Sequence, residues 1–439
     1  MLRAFTQAFR TPDLRKKILF TIAIIGVYRL GTTVPAPGVD YGTVQTCLKI
    51  VGSKGIYGLL NLFSGGALLQ LSVFALGIMP YITASIIVQL LVVVIPRFEA
   101  LKKQGQAGQT RLTQYTRYLT VALGILQSTA IIALARSGRL FQASGTTCRP
   151  LPDISIFRVT TLVITMTAGT AVIMWLGELI TERGVGNGMS ILIFTSIIAR
   201  APAQGVGILK TAKLWGAIVI IAMAIVIITF VIFVEQAQRR IPVQYAKRMI
   251  GRRMYGGTST YLPMKVNQAG VIPVIFASSL LYVPYLLTNL FTDKTSGVVG
   301  FISRNLINTG GSPKPGYLIV YLALIFFFTY FYVAITFDTR EVSDNMKKYG
   351  GFIPGIRPGR PTAEYLDYIQ SRLTFPGALF LSVVAMLPFV VASFFPGISA
   401  GGDFLLGGTA LLIVVGVGLD TVKQIDSQLM LRNYEGFLR

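Results

Sequence analysis

The stretch GLLNLFSGGALLQ, Gly58 to Gln70, is apolar enough for a bilayer but too short to cross one, and Asn61, Ser64, Gly65 and Gly66 interrupt it. The run LSVFALGIMPYITASIIVQLLVVVIP, Leu71 to Pro96, follows at once. A membrane-spanning helix needs about 20 consecutive apolar residues. The second segment therefore reads as a span, and the first as a broken, half-length piece placed directly before it. Non-helical backbone at membrane depth is tolerated only where it lines a cavity or is buried in protein.

The rest of the chain agrees with a membrane setting. Of its 439 residues 53% are hydrophobic and 13% charged, against about 25% charged in a soluble protein. Apolar segments lie near 18–34, 72–95, 115–135, 157–180, 188–208, 214–234, 268–291, 317–337, 374–395 and 404–422, which predicts ten spans. The fifth is the weakest, because Arg200 and Pro202 interrupt it. The runs are continuous, not alternating over ten-residue strands, which argues against a barrel. The opening MLRAFTQAFRTPDLRKK is basic, but the apolar run behind it is long and lacks a small-residue cleavage site, so no cleavable signal peptide is expected.

Ten spans put both termini on one side. If that side is cytoplasmic, cytoplasmic pieces carry 27 of the 40 Lys and Arg residues and outer loops carry 12. The positive-inside rule then predicts cytoplasmic termini. The net charge of +23 need not mean a nucleic-acid partner, because this topology together with anionic lipid accounts for a basic loop equally well. There is no histidine, and the two cysteines are Cys47 and Cys148. A Cys/His metal site is excluded, as is a Ser–His centre, and no cofactor is expected. Both cysteines fall on the outer side, where a disulfide is chemically allowed; the expectation is two free thiols.

Substrate-coupled transporters and intramembrane enzymes place ionisable groups at mid-membrane. Here Arg29, Glu178, Arg200 and Asp420 sit toward span ends. GVGLD (Gly416–Asp420) resembles a membrane aspartyl protease motif, but its Asp comes one position late and no second membrane aspartate is evident. GVGNG (Gly184–Gly188) follows an apolar helix and not a strand, so it reads as a tight interhelical turn. A secondary transporter of small solutes is the runner-up class, and an intramembrane enzyme the third. Gly65, Gly66, Gly177, Gly377 and Gly416 are expected to allow close helix approach or local breaks. Pro80 and Pro273 are expected to kink spans from within.

Longer motifs carry a resemblance. YRLGTTVPAPGVD (Tyr28–Asp40), NLFSGGALLQLSVFALGIMPYITASIIVQLL, QYTRYLT, MWLGELITERGVGNGMSILIF, QRRIPVQYAKR, NQAGVIPVIFASSLL, GGFIPGIRPGRPT and GGTALLIVVGVGLD occur in order between about Asp13 and Tyr434. Together they resemble the bacterial SecY family, the pore subunits of the general secretory (Sec) protein translocon.

The resemblance implies an all-α polytopic fold of ten transmembrane helices in two pseudo-symmetric, inverted five-helix halves, 1–210 and 211–439, hinged between spans five and six. It implies a passive, gated, protein-conducting channel, not an enzyme, in the cytoplasmic membrane of a bacterium. The half-length segment would be a plug, with Tyr57, Leu60, Asn61, Phe63 and Ser64 in its body and Gly65 and Gly66 as its joint. The ring at the waist of the pore would be Ile78, Ile82, Met189, Ile193, Ile275 and Ile413. Ile78/Ile82 and Met189/Ile193 are spaced i, i+4, so each pair shares a helix face, although such pairs are ordinarily core packing. Methionine stands where a branched residue is commoner, which would soften that edge of the ring. The lateral gate, between spans two and three on one side and seven and eight on the other, would hold Thr83, Gln127 and Asn267.

Two basic loops would dock partners, the SecA motor ATPase or the ribosome. One is Glu235–Lys265, read as an extended hairpin bearing Arg239, Arg240, Lys247, Arg248, Arg252 and Arg253. The other is Gly350–Thr362, bearing Arg357 and Arg360. Further partners implied are SecE-like and SecG-like small membrane subunits, signal-sequence-bearing preproteins and anionic lipids.

Overall fold

The computed structural model describes residues 9–51, 64–138, 142–143, 146–147, 151, 155–203, 205–206, 214–245, 248–250, 253–255, 259–290, 315–394 and 408–436. A helix overlaps each of the ten expected segments. These helices are α1 (Pro12–Thr33), α3 (Met79–Val94), α5 (Gln106–Arg136), α6 (Ile156–Arg183), α7 (Gly188–Ile198), α8 (Leu214–Gln236), α9 (Ile272–Leu290), α10 (Pro315–Thr336), α12 (Arg360–Phe394) and α13 (Gly408–Gly436). Among the described residues, three further helices of eight residues or more lie between them: α2 (Tyr41–Val51), α4 (Pro96–Lys103) and α11 (Thr339–Lys348). Among the described residues five helical stretches are long and apolar enough to cross a membrane, and α3 with α4, bent by 99°, makes a sixth. Large apolar side chains such as Phe157, Trp175, Phe233, Ile319 and Phe327 stay exposed on the outside of the bundle, a surface suited to lipid rather than water.

Local sequence explains the helix ends. Pro12 opens α1, Pro80 lies in the first turn of α3, and Pro96 opens α4. A first-turn proline loses nothing, because its missing N–H would be unsatisfied there anyway. This corrects the expectation for Pro80, and Pro273, second residue of α9, is corrected on the same ground. Prolines inside described helices are Pro284 in α9 and Pro376 and Pro388 in α12. GVGNG is a tight turn as expected: Gly186 adopts φ +83°, and the Asn187 side chain caps α7 by accepting from the Met189 and Ser190 N–H groups. Here α6 and α7 pack glycine to glycine. A Cβ on Gly188 would lie 1.9 Å from the Gly177 carbonyl oxygen, so a side chain would force the helices apart.

Two basic loops fold into one small sheet. Strands β3 (Gln238–Tyr245) and β6 (Ser259–Lys265) form the expected hairpin, in antiparallel register from Gln238 opposite Lys265 to Gln244 opposite Ser259. A minor hairpin of β4 (Arg248–Ile250) and β5 (Arg253–Tyr255) lies between them. Strand β7 (Gly351–Phe352) joins the free edge of β3 at Gln244 and Tyr245. Pro242 sits where β3 has only β6 beside it, a position a proline tolerates. Ile241, Met264, Ile353, Leu366 and Ile369 make a separate apolar cluster beneath this sheet, which welds both loops to the first turns of α12.

Cys47 is disulfide-bonded, which overturns the free-thiol expectation. The chain's other cysteine is Cys148, outside the described residues. The helix carrying Cys47, α2, packs against Gln142–Ala143 of strand β1 in the loop before Cys148, so the fold brings together loops some 100 positions apart. At its start Asp40 accepts from the Thr43 hydroxyl and the Gly42 N–H. The Thr43 bond foremost, with the backbone bonds, holds its carboxyl below the usual carboxylate range.

Candidate functional site

Of the plug residues, Tyr57, Leu60, Asn61 and Phe63 lie outside the described residues, whereas Ser64, Gly65 and Gly66 are placed. From Ser64 to Ile78 the chain runs as consecutive turns, not as helix. The expected span from 72 is therefore helical only from Met79. The apolar sequence alone could not show this, because the backbone of 71–73 is satisfied elsewhere. Leu71 O accepts from Ala36 N, Val73 N donates to Val34 O, and Pro35 bridges Ser72. Leu71 itself has φ +48° and no exposure. A non-glycine in this region costs about 1–2 kcal/mol, so the surrounding contacts hold the segment in place.

Gly65 and Gly66 both adopt left-handed backbone, φ +67° and +99°, as the joint requires. Sequence reading missed what grips this joint. Arg29, on α1, donates from Nη1 to Gly65 O at 3.2 Å. Tyr28, next to it, shares a hydrogen bond of 2.6 Å with Ser196 Oγ on α7 and stacks on Phe74. Ser64 Oγ accepts from Leu68 N. The segment's root is thus held between α1 and α7. The available clue was Arg29 itself, a charge in an otherwise apolar span.

All six waist candidates belong to the main apolar core of the bundle. Ile78, Ile82, Ile193 and Ile413 are buried members, and Met189 and Ile275 pack against it. Ile82 N donates to Ile78 O, so the expected shared face is real. Met189 differs from the other five. A Cβ on Gly177 would lie 2.4 Å from its sulfur, so this side chain rests in the glycine notch of α6.

The seam between the expected gate helices is shut, with α9 packed against both α3 and α5. At its basic end Lys102 Nζ, on α4, donates to Ile335 O at the end of α10, at 3.1 Å. A cation at a helix C-terminus meets the negative end of the helix dipole. Thr83, Gln127 and Asn267 are not joined by hydrogen bonds among the described residues. The Thr83 hydroxyl bonds Met79 O in its own helix, and Gln127 is buried. Asn267 donates to Glu235 Oε2 at 2.9 Å and to Gly270 O. A buried carboxylate is the strongest acceptor near it, so Asn267 turns into α8 rather than toward the other two. Its Oδ1 has no hydrogen-bond partner among the described residues.

On the basic face Arg239 and Arg240 are exposed on β3. Lys247 and Arg252 lie outside the described residues; the backbone, but not the side chains, of Arg248 and Arg253 is described. Arg357 projects from a tightly bonded turn. The Thr362 hydroxyl donates to Arg357 O and the Ser343 hydroxyl to Gly359 O. Gly355 and Gly359 take φ +83° and +106°, values a larger side chain would strain. Arg360 instead begins α12 and pairs with Glu364 at 2.9 Å, so its charge is partly offset. Lys265 of the hairpin reaches Asp420 of α13 at 3.7 Å.

A family model described as SecY matches residues 72–422. The protein translocase subunit SecY of Streptomyces coelicolor is 61% identical, and that of Mycobacterium tuberculosis 60% identical, each over 100% of both chains. A solved protein-conducting channel superposes with a TM-score of 0.64 over 94% of this chain and 91% of that one, at 18% identity. The Sec61 channel of a canine ribosome–channel complex gives 0.61 over 94% and 91%, at 17% identity. The fold is therefore theirs, and full-length identity to the bacterial proteins goes further: the chain is a multi-pass membrane protein that belongs to the SecY family.

Proposed function

We infer that this chain is the pore subunit of a protein translocase, a passive gated channel that moves unfolded polypeptides across a bacterial cytoplasmic membrane and releases hydrophobic segments sideways into it. Full-length identity to SecY translocase subunits carries the reading. It is a channel, not an enzyme, and the energy for transport comes from a partner. Its ten spans form two halves, 1–210 and 211–439, with both termini and the basic sheet in the cytoplasm. The hinge between them, near 199–213, falls partly outside the described residues.

The chemistry of each part suits this role. An apolar waist of isoleucines excludes ions by dewetting and still deforms around a passing chain. A half-length segment with a left-handed glycine joint is suited to swing out of the path. The shut seam between α9 and α3/α5 is the lateral exit, and Lys102 at its mouth is the contact that must part. The exposed Arg239, Arg240 and Arg357 form one cationic platform, because β7 ties both loops into one sheet. Such a platform accepts an acidic motor surface of the SecA kind or the phosphates of ribosomal RNA. SecE-like and SecG-like subunits complete the complex, anionic lipid surrounds it, and signal-sequence-bearing preproteins are the cargo.

The test is purification followed by reconstitution. Small SecE-like and SecG-like membrane proteins should copurify with the chain, and proteoliposomes of the complex should render a signal-bearing preprotein protease-resistant once a motor and ATP are added. A complex that instead accumulates a small solute down an ion gradient, with no protected preprotein, refutes the reading in favour of a secondary transporter.

A further inference from the structure

The disulfide at Cys47 belongs to neither the waist nor the basic platform, yet it lies between the plug segment and the gate. The chain has one other cysteine, Cys148, so a bond within the chain joins Cys47 to Cys148. Cys47 is on α2, the helix that leads into the plug segment, and Cys148 is in the loop that follows the gate helix α5.

Residues 37–70 leave the bundle and return to it through one neck. There Ala36 N donates to Leu71 O, Val73 N donates to Val34 O, and Pro35 bridges Ser72. Helix α2 and the plug segment together hang from that neck. Near the far end of this excursion Arg29 grips Gly65. Near its start Val44 and Cys47, spaced i, i+3 on one face of α2, are fully buried in the main apolar core. Apolar packing is non-directional and can slip as neighbouring helices shift. The bond at Cys47 is covalent and cannot.

The other end of the bond has little slack. Helix α5 ends at Arg136, and Gly138, at φ +74°, turns the chain out of it. Gln142 then pairs with Thr147 and Ala143 with Thr146, strand β1 against strand β2 (Thr146–Thr147). Cys148 follows directly. The twelve positions from Arg136 to Cys148, unpaired, could extend to about 40 Å. The pairing shortens the route to the six positions before Gln142 and one cross-strand step, about 25 Å at full stretch. Because α2 packs against Gln142–Ala143, the hairpin is a strut between α5 and α2 and not a loose cord.

We propose that this disulfide is a tether that couples the gate to the plug. When α5 moves off α9 to open the lateral exit, the β1–β2 hairpin draws on α2 through the Cys47 bond, and α2 displaces the root of the plug segment. Lateral and axial opening are then one event. This coupling rests on the channel reading above, whose own failure shows separately in the test. Reduction uncouples the two. Dithiothreitol breaks the S–S bond and closes to its own cyclic disulfide, and both cysteines are left as thiols, so the electrons and protons balance.

Conductance of the purified complex in planar bilayers tests the tether, with a synthetic signal peptide as the probe that parts the gate. The oxidised parent should gain conductance when the peptide is added. The parent reduced with dithiothreitol, and the Cys148→Ser variant, should gain less by about fivefold or more, the low end of the range for coupling between distant sites. Photocrosslinking of the peptide to the chain should stay at the parent level in all three. Cys148→Ser leaves the buried Cys47 in place, and the reduced parent needs no variant to fold. An equal gain with and without the bond overturns the tether and leaves the disulfide as a staple. So do two alkylated thiols on the denatured parent that has met no reductant. Deletion of residues 57–69 is the reference: it should conduct without peptide in either redox state. If it does not, and the complex protects no preprotein in proteoliposomes, it is the channel reading that fails, and the tether with it.

Discussion

Replacing Arg29 with Met removes the hydrogen bond that holds Gly65 while keeping much of the side chain's apolar bulk. Hydrogen bonds to charged groups contribute about 1.5–3 kcal/mol. At 3.2 Å from Nη1 to oxygen this bond is at the long end of the geometric range, so about 1.5 kcal/mol is the fair figure. Since about 1.4 kcal/mol is a factor of ten, the displaced state of the segment gains about tenfold in population relative to the parent. Resting ion conductance in planar bilayers should rise by a similar factor before any preprotein is added. Gly65→Ala attacks the same contact from the other side. Its backbone sits at φ +67°, and a Cβ would stand 3.2 Å from Arg29 Nη1 and 3.4 Å from Ser196 Cα. The two changes should therefore combine to less than the sum of their separate effects, since each breaks the same bond. A control deletes residues 57–69 altogether. If that deletion leaks and Arg29→Met conducts no more than the parent, the segment is the seal but Arg29 does not hold it, and the reasoning fails.

Three other outcomes are expected. Ile275→Asn or Ile413→Asn, in the apolar cluster, should wet the waist, and preproteins with defective signal sequences should then be exported more readily; undiminished discrimination would leave these residues as plain core. Lys102→Gln removes the contact to Ile335 O, and because an exposed charge contributes only about 0.3–1 kcal/mol at a helix terminus, cysteine crosslinking across the seam should fall by less than about fivefold, and added salt should reproduce the loss in the parent. Arg357→Lys should lose most motor-driven translocation in reconstituted vesicles while inserting normally, because lysine cannot supply the bidentate fork; full activity of the Lys variant across a range of salt would reduce Arg357 to part of a general basic patch.

Much of this molecule could be read before it was folded. Ten apolar segments, their charge asymmetry and the absence of histidine are consequences of transfer free energy and chemistry that act residue by residue, so they survive in a linear string. The Glu235–Lys265 hairpin and the Gly184–Gly188 turn are likewise local, set by turn and β-branched residues within a few positions of one another. The i, i+4 pairing of Ile78 and Ile82 was legible for the same reason.

What escaped depends on contacts between distant positions. Apolarity alone predicts helix from residue 72, yet backbone bonds to residues 34–36 hold 71–73 in an irregular path, and the helix begins at Met79. Asn267, expected at the gate, gives its amide N–H to Glu235, 32 positions earlier, a partner that no sequence pattern announced. The two basic loops become one platform because Gly351 and Phe352 pair with Tyr245 and Gln244 across more than a hundred residues. Cys47 reads as a thiol until folding brings α2 beside the loop that leads to Cys148. Composition and periodicity report what each residue prefers when taken from water. They carry no record of which buried donor will find which acceptor, and in a membrane, where an unpaired polar group has no water to fall back on, that choice settles the grip on Gly65, the partner of Asn267 and the joining of the two basic loops in one sheet.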